Sequence, residues 1–366
     1  MRVAIVLPTL AGGGAERLHL LLGEEFQKRG YGVDFVLLRA EGELLEEVGS
    51  SARIIELGAP HFRHALVPLM RYLRRRRPAA ILAAMWPLTG LAAVAKALSG
   101  VDCRLLASEH SALSHAHHHR GWSRSAHRHL GKWLYGLCDR VVCVSEGVRQ
   151  DVITLTGLSR ERTKVIYNPV RQANKGLADR KIMEWWGNRG GRLIAIGSLK
   201  KAKDYPTLLH AFSSLRQTKD ARLLILGEGP LRSDLEALCG TLGLGDSVLM
   251  PGFVADPYPY LTEADLLVLS SAWEGLGNVI IEALVCGTPV VSTDCPSGPR
   301  EILDDGRYGR LVPVGDVDAL AKAMANALAA THDREALKRR AADFKPEKAA
   351  DAYLRLLFPD HLSTLN

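Results

Sequence analysis

Residues 264–293 read ADLLVLSSAWEGLGNVIIEALVCGTPVVST, and the fold class follows from this stretch. A short apolar run ends at Ser270-Ser271. A turn carrying Glu274, Gly275 and Gly277 comes next, and helical periodicity begins near Asn278. A β-rich run, Pro289–Ser292, closes the segment. Strand, turn, helix and strand in this order predict a βαβ unit with parallel strands. Glycines in the turn let the backbone approach a ligand closely. The free N–H groups at the start of the helix, aided by its dipole, make an anion site suited to a diphosphate. Glu274 precedes the helix, where a carboxylate accepts hydrogen bonds from hydroxyls. Glu282, eight residues on, sits just over two turns later and reaches a second polyol, such as a ribose. From spacing alone, a capped helix with a solvated Glu282 accounts for the pattern equally well.

The alternation extends in both directions. Val3–Leu7 is a β-rich run followed by Ala11-Gly12-Gly13-Gly14 and a helix marked by Leu18, Leu21, Leu22 and Phe26. Val33–Leu38, Ile81–Met85, Arg104–Ser108 and Val141–Val144 read as further strands. The pattern lapses between Asn168-Pro169 and Gly190-Gly191, then restarts with strands at Arg192–Ile196, Arg222–Leu226, Ser247–Met250 and Leu266–Leu269. The expectation is an α/β chain of two Rossmann-like, doubly wound domains, 1–170 and 171–345, facing a cleft. A final helix, 346–366, packs back on the first domain. In open parallel sheets, ligands bind beyond the carboxyl ends of the strands, so the residues that follow strands are the candidates.

Composition bounds the class. The 366 residues exceed one ordinary core, and 47% hydrophobic with 24% charged is a globular balance. No stretch has the length and apolarity of a spanning helix, and the chain opens directly on a strand, so a cytoplasmic protein is expected. Six cysteines scatter through apolar segments without a CxxC pair and read as buried thiols. Net charge is +7, and residues 1–170 hold 23 Lys+Arg against 15 Asp+Glu, while 171–366 hold 24 against 25. The basic excess therefore lies in the first half, where it suits an anionic partner.

Glu274-x7-Glu282, with EGLGN and CGTPVV around it, resembles the signature of glycosyltransferase family 4, the large GT-B family of retaining transferases. Other segments match in order, so the resemblance covers nearly the whole chain. It implies that Glu274 contacts donor-sugar hydroxyls, that Glu282 contacts the ribose, and that Gly275, Leu276, Gly277 and Asn278 hold the diphosphate. The run Gly13-Gly14-Ala15-Glu16-Arg17 is similar to the family's GGAER loop, which closes over the diphosphate or lines the acceptor side. Lys203 occupies the position of the family's phosphate-binding Lys. Ser198 stands where the family usually has Arg, a departure for which Lys200 or Lys201 could substitute. His110 is the candidate for a family histidine that approaches the donor sugar. Phe253, in Pro251-Gly252-Phe253-Val254, borders the base in the family and suits a uracil, although a core role fits it equally. The run Asp294 to Glu301 is similar to members that transfer hexosamines or hexoses to lipid-linked glycans.

The implied activity is metal-independent transfer, without a cofactor, from a UDP-sugar to a lipid-linked or surface-glycan acceptor. Seven histidines between His110 and Leu137 also admit metal binding, but few acids lie near HAHHH to orient ligands. Arg120, Arg124, Arg128 and Lys132 recur every four residues beside Trp122, Leu130, Trp133 and Leu134. This is the pattern of a helix lying on an anionic membrane, and it places the protein peripherally on the inner face of the cytoplasmic membrane. A solvated basic face is the alternative. No nucleic-acid motif is present. Two other functions stay open: a nucleotide-sugar epimerase of GT-B type, and a non-catalytic docking subunit, kept in view by Ser198.

Overall fold

The computed structural model describes residues 1–11, 13–114, 124–173, 176–187 and 190–359, with the backbone alone at 124–128. The chain divides into two compact units. One is Met1–Pro169 together with the chain from Lys345 onward, and the other is Val170–Phe344.

The first unit holds seven strands: β1 (Arg2–Leu7), β2 (Gly32–Leu37), β3 (Arg53–Glu56), β4 (Ala80–Ala84), β5 (Arg104–Glu109), β6 (Arg140–Cys143) and β7 (Thr163–Val165). They pair in parallel in the order β3-β2-β1-β4-β5-β6-β7. Strands β1, β2 and β4 are almost fully buried, as expected when helices cover both faces of a parallel sheet. Helix Gly14–Lys28 supplies Leu18, Leu22 and Phe26 to the core. Helix Pro346–Leu357 adds Ala349, Ala350, Tyr353, Leu354 and Leu357 to the same cluster. Arg29 Nε also donates to Asp351 Oδ1 at 2.8 Å, tying the end of the first helix to the last.

The second unit holds β8 (Gly191–Ile196), β9 (Ala221–Leu226), β10 (Val248–Gly252), β11 (Leu266–Leu269), β12 (Val290–Thr293) and β13 (Arg310–Val312). All pair in parallel in the order β10-β9-β8-β11-β12-β13. The short strands β3, β7 and β13 lie outside the strand readings made from sequence. Each has three or four residues, too short to set up a clear alternation.

Strand order reverses direction once in each sheet, between β1 and β4 and between β8 and β11. These are the switch points where loops diverge and leave a crevice at the strands' carboxyl ends. All six cysteines are buried and free. Burial pushes the thiols up, to about 11 at Cys103 and about 12 at Cys138.

Candidate functional site

The switch point of the second sheet gathers the residues singled out by sequence. After β8 the chain runs through Gly197 and Ser198 into a 3-10 turn, Lys201–Lys203, and then into helix Tyr205–Arg216. After β11 it passes Ser270 and Ser271 into the turn that carries Glu274 and on to helix Asn278–Cys286. Two hydrogen bonds stitch these loops together. Ala272 N donates to Ala202 O at 2.8 Å, and Ser270 Oγ donates to Lys203 O at 2.8 Å.

Lys203 Nζ then meets Glu274 Oε1 at 2.6 Å, with the side chains 18% and 13% exposed. Ser271 Oγ donates to the same oxygen at 2.6 Å. Both bonds fall on Oε1, so among the described residues Oε2 has no protein hydrogen bond. One of the three ammonium hydrogens of Lys203 is taken by Glu274. The lysine stem lies across Gly197, where an added Cβ would stand 2.7 Å from Lys203 Cε. Tyr205 braces that loop by donating from its hydroxyl to Gly197 O at 2.9 Å.

Helix Asn278–Cys286 starts from Gly277 in the left-handed region (φ 90°) and stops at Gly287 (φ 72°), both conformations that suit glycine. Val279, Ile280, Ile281, Ala283 and Leu284 are all buried, so the helix is held by its apolar sides. Burial of each larger side chain contributes about 1.5–3 kcal/mol. Leu276 is buried at 2% exposure. Gly298 (φ 93°) packs directly on the Leu276 carbonyl, leaving no room for a Cβ. The Gly275–Asn278 turn is therefore fixed from both sides, by its own helix and by the loop after β12. Glu282 lies half-buried on the same helix. Burial, first, and the Glu282 charge hold the Tyr258 hydroxyl well above the usual tyrosine range.

Ser198, Lys200 and Lys201 lie in the same loop after β8 with exposed side chains. Phe253 is 49% exposed, so a core role is excluded. It lines a hollow of about 510 Å³ with Lys181, Trp185, Leu249, Pro251 and Tyr260, and no residue of the Gly275–Asn278 turn borders that hollow. Gly13 and Gly14 are exposed at the start of the first helix. The Glu16 carboxylate sits where a Gly13 side chain would be, and burial raises its pKa. Arg120 lies outside the described residues, as do the side chains of Arg124 and Arg128 and the HAHHH run. Lys132 is exposed. Among the described residues, no group of three or more His, Cys, Asp or Glu is placed to hold a metal ion, and no helix is long and apolar enough to cross a membrane.

His110 follows β5 in the first unit. Its ring lies against that of His19, with centroids 5.1 Å apart and planes at 69°. Burial lowers His19 to about 4, and burial with the neighbouring His19 lowers His110 well below the usual histidine range. Next to it, Glu109 is buried beneath Thr89 and Tyr135, which donate to Oε1 at 2.9 and 2.7 Å. Burial pushes its pKa up to about 7. Sequence reasoning assigned no role to His19, Glu109, Ser271 or Gly298. A histidine on the apolar stripe of the first helix was the one local sign available.

Two parallel, doubly wound units, with a lysine–carboxylate pair beside a glycine turn at a switch point, define the GT-B class of Rossmann-like architecture. The profile of Glycosyltransferase Family 4 matches residues 12–173, and that of Glycosyl transferases group 1 matches residues 190–330. The chain belongs to glycosyltransferase family 4. One relative is the N-acetylgalactosamine-N,N'-diacetylbacillosaminyl-diphospho-undecaprenol 4-alpha-N-acetylgalactosaminyltransferase of Campylobacter jejuni. It is 30% identical over 242 residues, covering 66% of this chain and 65% of the relative. Another is the lipopolysaccharide core biosynthesis glycosyltransferase LpsE of Rhizobium meliloti, 33% identical over 224 residues, covering 60% and 64%. The matches thus span slightly under two thirds of these relatives' own length. Among solved structures, Anabaena HepE in complex with UDP and glucose superposes with a TM-score of 0.81 at 21% identity, covering 100% of both chains.

Proposed function

We propose that this chain is a retaining glycosyltransferase that moves a hexose or N-acetylhexosamine from a nucleotide diphosphate sugar, specifically a UDP-sugar, to a lipid-linked or surface-glycan acceptor. The observation that carries this reading is the Lys203–Glu274 pair at the β8/β11 switch point. A cation, a carboxylate with one free oxygen and a helix N-terminus converge there, as the leaving diphosphate and a hydroxyl-rich sugar require.

In this mechanism Glu274 Oε2 accepts from a sugar hydroxyl and orients the ring. Lys203 and the amides of Gly275–Asn278 bind the diphosphate, and Glu282 binds the ribose. The bond from the anomeric carbon to the β-phosphate oxygen breaks as a bond from that carbon to the acceptor oxygen forms on the same face. The acceptor's proton passes to the departing phosphate oxygen. Lys203 and the helix dipole stabilise the charge that develops. His110 approaches a sugar hydroxyl. No metal ion is needed for this charge balance.

Acceptor delivery at an anionic membrane is the second part of the proposal. Helix Leu88–Ser99 packs against helices Leu66–Arg76 and Arg124–Gly136. These three helices expose Val67 (60%), Leu98 (55%) and Trp133 (58%). Arg74, Arg75, Arg76, Arg77 and Lys132 are exposed on the same helices and their ends. Exposed apolar side chains and cations on neighbouring helices suit an anionic bilayer, which supports a peripheral position on the inner face of the cytoplasmic membrane.

A thermal-shift panel of UDP, GDP, ADP and dTDP on wild type and Glu282→Ala tests the donor reading. A ligand that binds only the native state raises the melting temperature by mass action. Stabilisation by UDP that weakens in the variant is expected. No shift with any nucleotide would overturn the transferase reading in favour of a docking subunit.

A further inference from the structure

The peptide unit between Ser271 and Ala272 is held at both of its polar ends. Thr293 Oγ1 donates to Ser271 O at 2.6 Å, and Ala272 N donates to Ala202 O at 2.8 Å. A trans peptide points its C=O and N–H in opposite directions. This plane is therefore clamped between the end of β12 on one side and the 3-10 turn after β8 on the other. Ser271 and Thr293 are both fully buried. The origin of the Ser271 side chain is fixed by its backbone, and its hydroxyl donates to Glu274 Oε1 at 2.6 Å.

Glu274 has three rotatable side-chain bonds, and holding them in one arrangement has an entropic cost. Two donors oppose that freedom at Oε1, Lys203 Nζ and Ser271 Oγ. They are not equivalent. The Lys203 ammonium ends a flexible four-carbon stem, and a diphosphate, with more negative charge than a carboxylate, competes for it. Ser271 sits in the interior, and its one hydroxyl hydrogen is committed to Glu274. A hydrogen bond to an ionised acceptor is of the stronger kind.

We propose that Ser271, anchored through its carbonyl by Thr293, is a positioning residue that holds Glu274 in its sugar-binding orientation while Lys203 engages the diphosphate. The inference rests on the donor-site reading of Glu274 and Lys203. It gives the two contacts at Oε1 different tasks: the lysine serves the phosphates and the serine serves the sugar. Ser271 is buried and touches no substrate, so it acts only through Glu274. Removing its hydroxyl loosens the hold on the sugar in the transition state and leaves the hold on the nucleotide unchanged.

The test compares wild type, Ser271→Ala, Thr293→Val and Thr293→Ser. The measurements are UDP release from a panel of UDP-hexoses and UDP-N-acetylhexosamines, with kinetics on the fastest, and the UDP thermal shift. Ser271→Ala is expected to lower kcat about 10- to 100-fold, roughly the worth of one hydrogen bond to a charged group. KM should be little changed and the UDP shift retained. Thr293→Val, which keeps the shape and loses the hydroxyl, should lower kcat in the same way but by less. Thr293→Ser, which keeps the hydroxyl, should stay near wild type. Melting temperatures without ligand report folding, and the Thr293 pair carries the test if Ser271→Ala does not fold. An unchanged kcat in Ser271→Ala, a UDP shift lost along with kcat, or equal losses in Thr293→Val and Thr293→Ser would overturn the proposal. A urea double-variant cycle of Ser271→Ala with Glu274→Ala separates the two readings. The midpoint shift of the double variant is expected to be smaller than the sum of the single shifts. If wild type shows neither a UDP shift nor UDP release, the donor reading fails. The cycle still decides whether Ser271 holds Glu274, and additive shifts overturn that hold.

Discussion

Lys203 Nζ lies 2.6 Å from Oε1 of Glu274, a residue 71 positions further along the chain, joining the loops after two strands that are neighbours in the sheet. The pair is mostly shielded from solvent, so removing one partner leaves the other poorly solvated. Lys203→Met should cost about 1–3 kcal/mol of stability. Lys203→Met/Glu274→Gln should cost less than the sum of the two single variants, with a coupling of about 0.5–3 kcal/mol. Turnover should fall at least about 100-fold in Lys203→Met and stay lost in the double variant. Urea titrations and donor turnover check both halves. Recovery of turnover in the double variant would remove Lys203 from the mechanism.

Gly298 supports the Gly275–Asn278 turn. Its φ of 93° disfavours any other residue, and its α-carbon packs on the Leu276 carbonyl. Gly298→Ala should destabilise by at least about 2 kcal/mol and abolish the UDP-dependent thermal shift. Gly240, near the end of helix Arg232–Thr241 with open space around it, is the control. Gly240→Ala should stabilise by about 0.5–1 kcal/mol and leave nucleotide binding intact.

Glu109 and His19 pull stability in opposite directions with pH. Burial raises Glu109 from 4.5 to about 7, so the folded state holds a proton that the unfolded state releases. Its contribution is present below 4.5 and lost as pH rises to 7. Burial depresses His19 from 6.5 to about 4, so its contribution is present above 6.5 and lost as pH falls to 4. Between these limits the two slopes oppose each other. Glu109→Gln retains an oxygen for Tyr135 and Thr89 and removes one slope. Its stability should rise with pH more steeply than wild type from about 5 to 6.5, by about 1.4 kcal/mol per pH unit. Urea titrations at several pH values measure this. A slope equal to wild type would show that Glu109 is ionised in the fold throughout the range.

The last helix is part of the first unit's core. Leu357 is 1% exposed and packs with residues of β1, β2 and the first helix. Leu357→Ala should cost about 2–5 kcal/mol, measurable by urea titration. A loss below about 0.5 kcal/mol would mean that this helix contributes little to the unit's stability.

Much of this protein is written locally. The apolar strands, the helical stripe Leu18, Leu22 and Phe26, and the glycines that end helices set period and direction over a few residues. That is why two doubly wound units and the turn from Glu274 to Asn278 are legible in the sequence. The family pattern added Lys203, although nothing local showed what it would touch. The partners came from strand order. Only the placing of β8 beside β11 sets Lys203 against Glu274, and only the loop after β12 puts Gly298 under Leu276. Only the return of the final helix to the first sheet brings Tyr353 to Ser108, 245 residues away. A side chain's hydrogen-bond partner depends on which distant backbone lies within about 3 Å. Periodicity does not carry that distance, and the packing of the sheets supplies it.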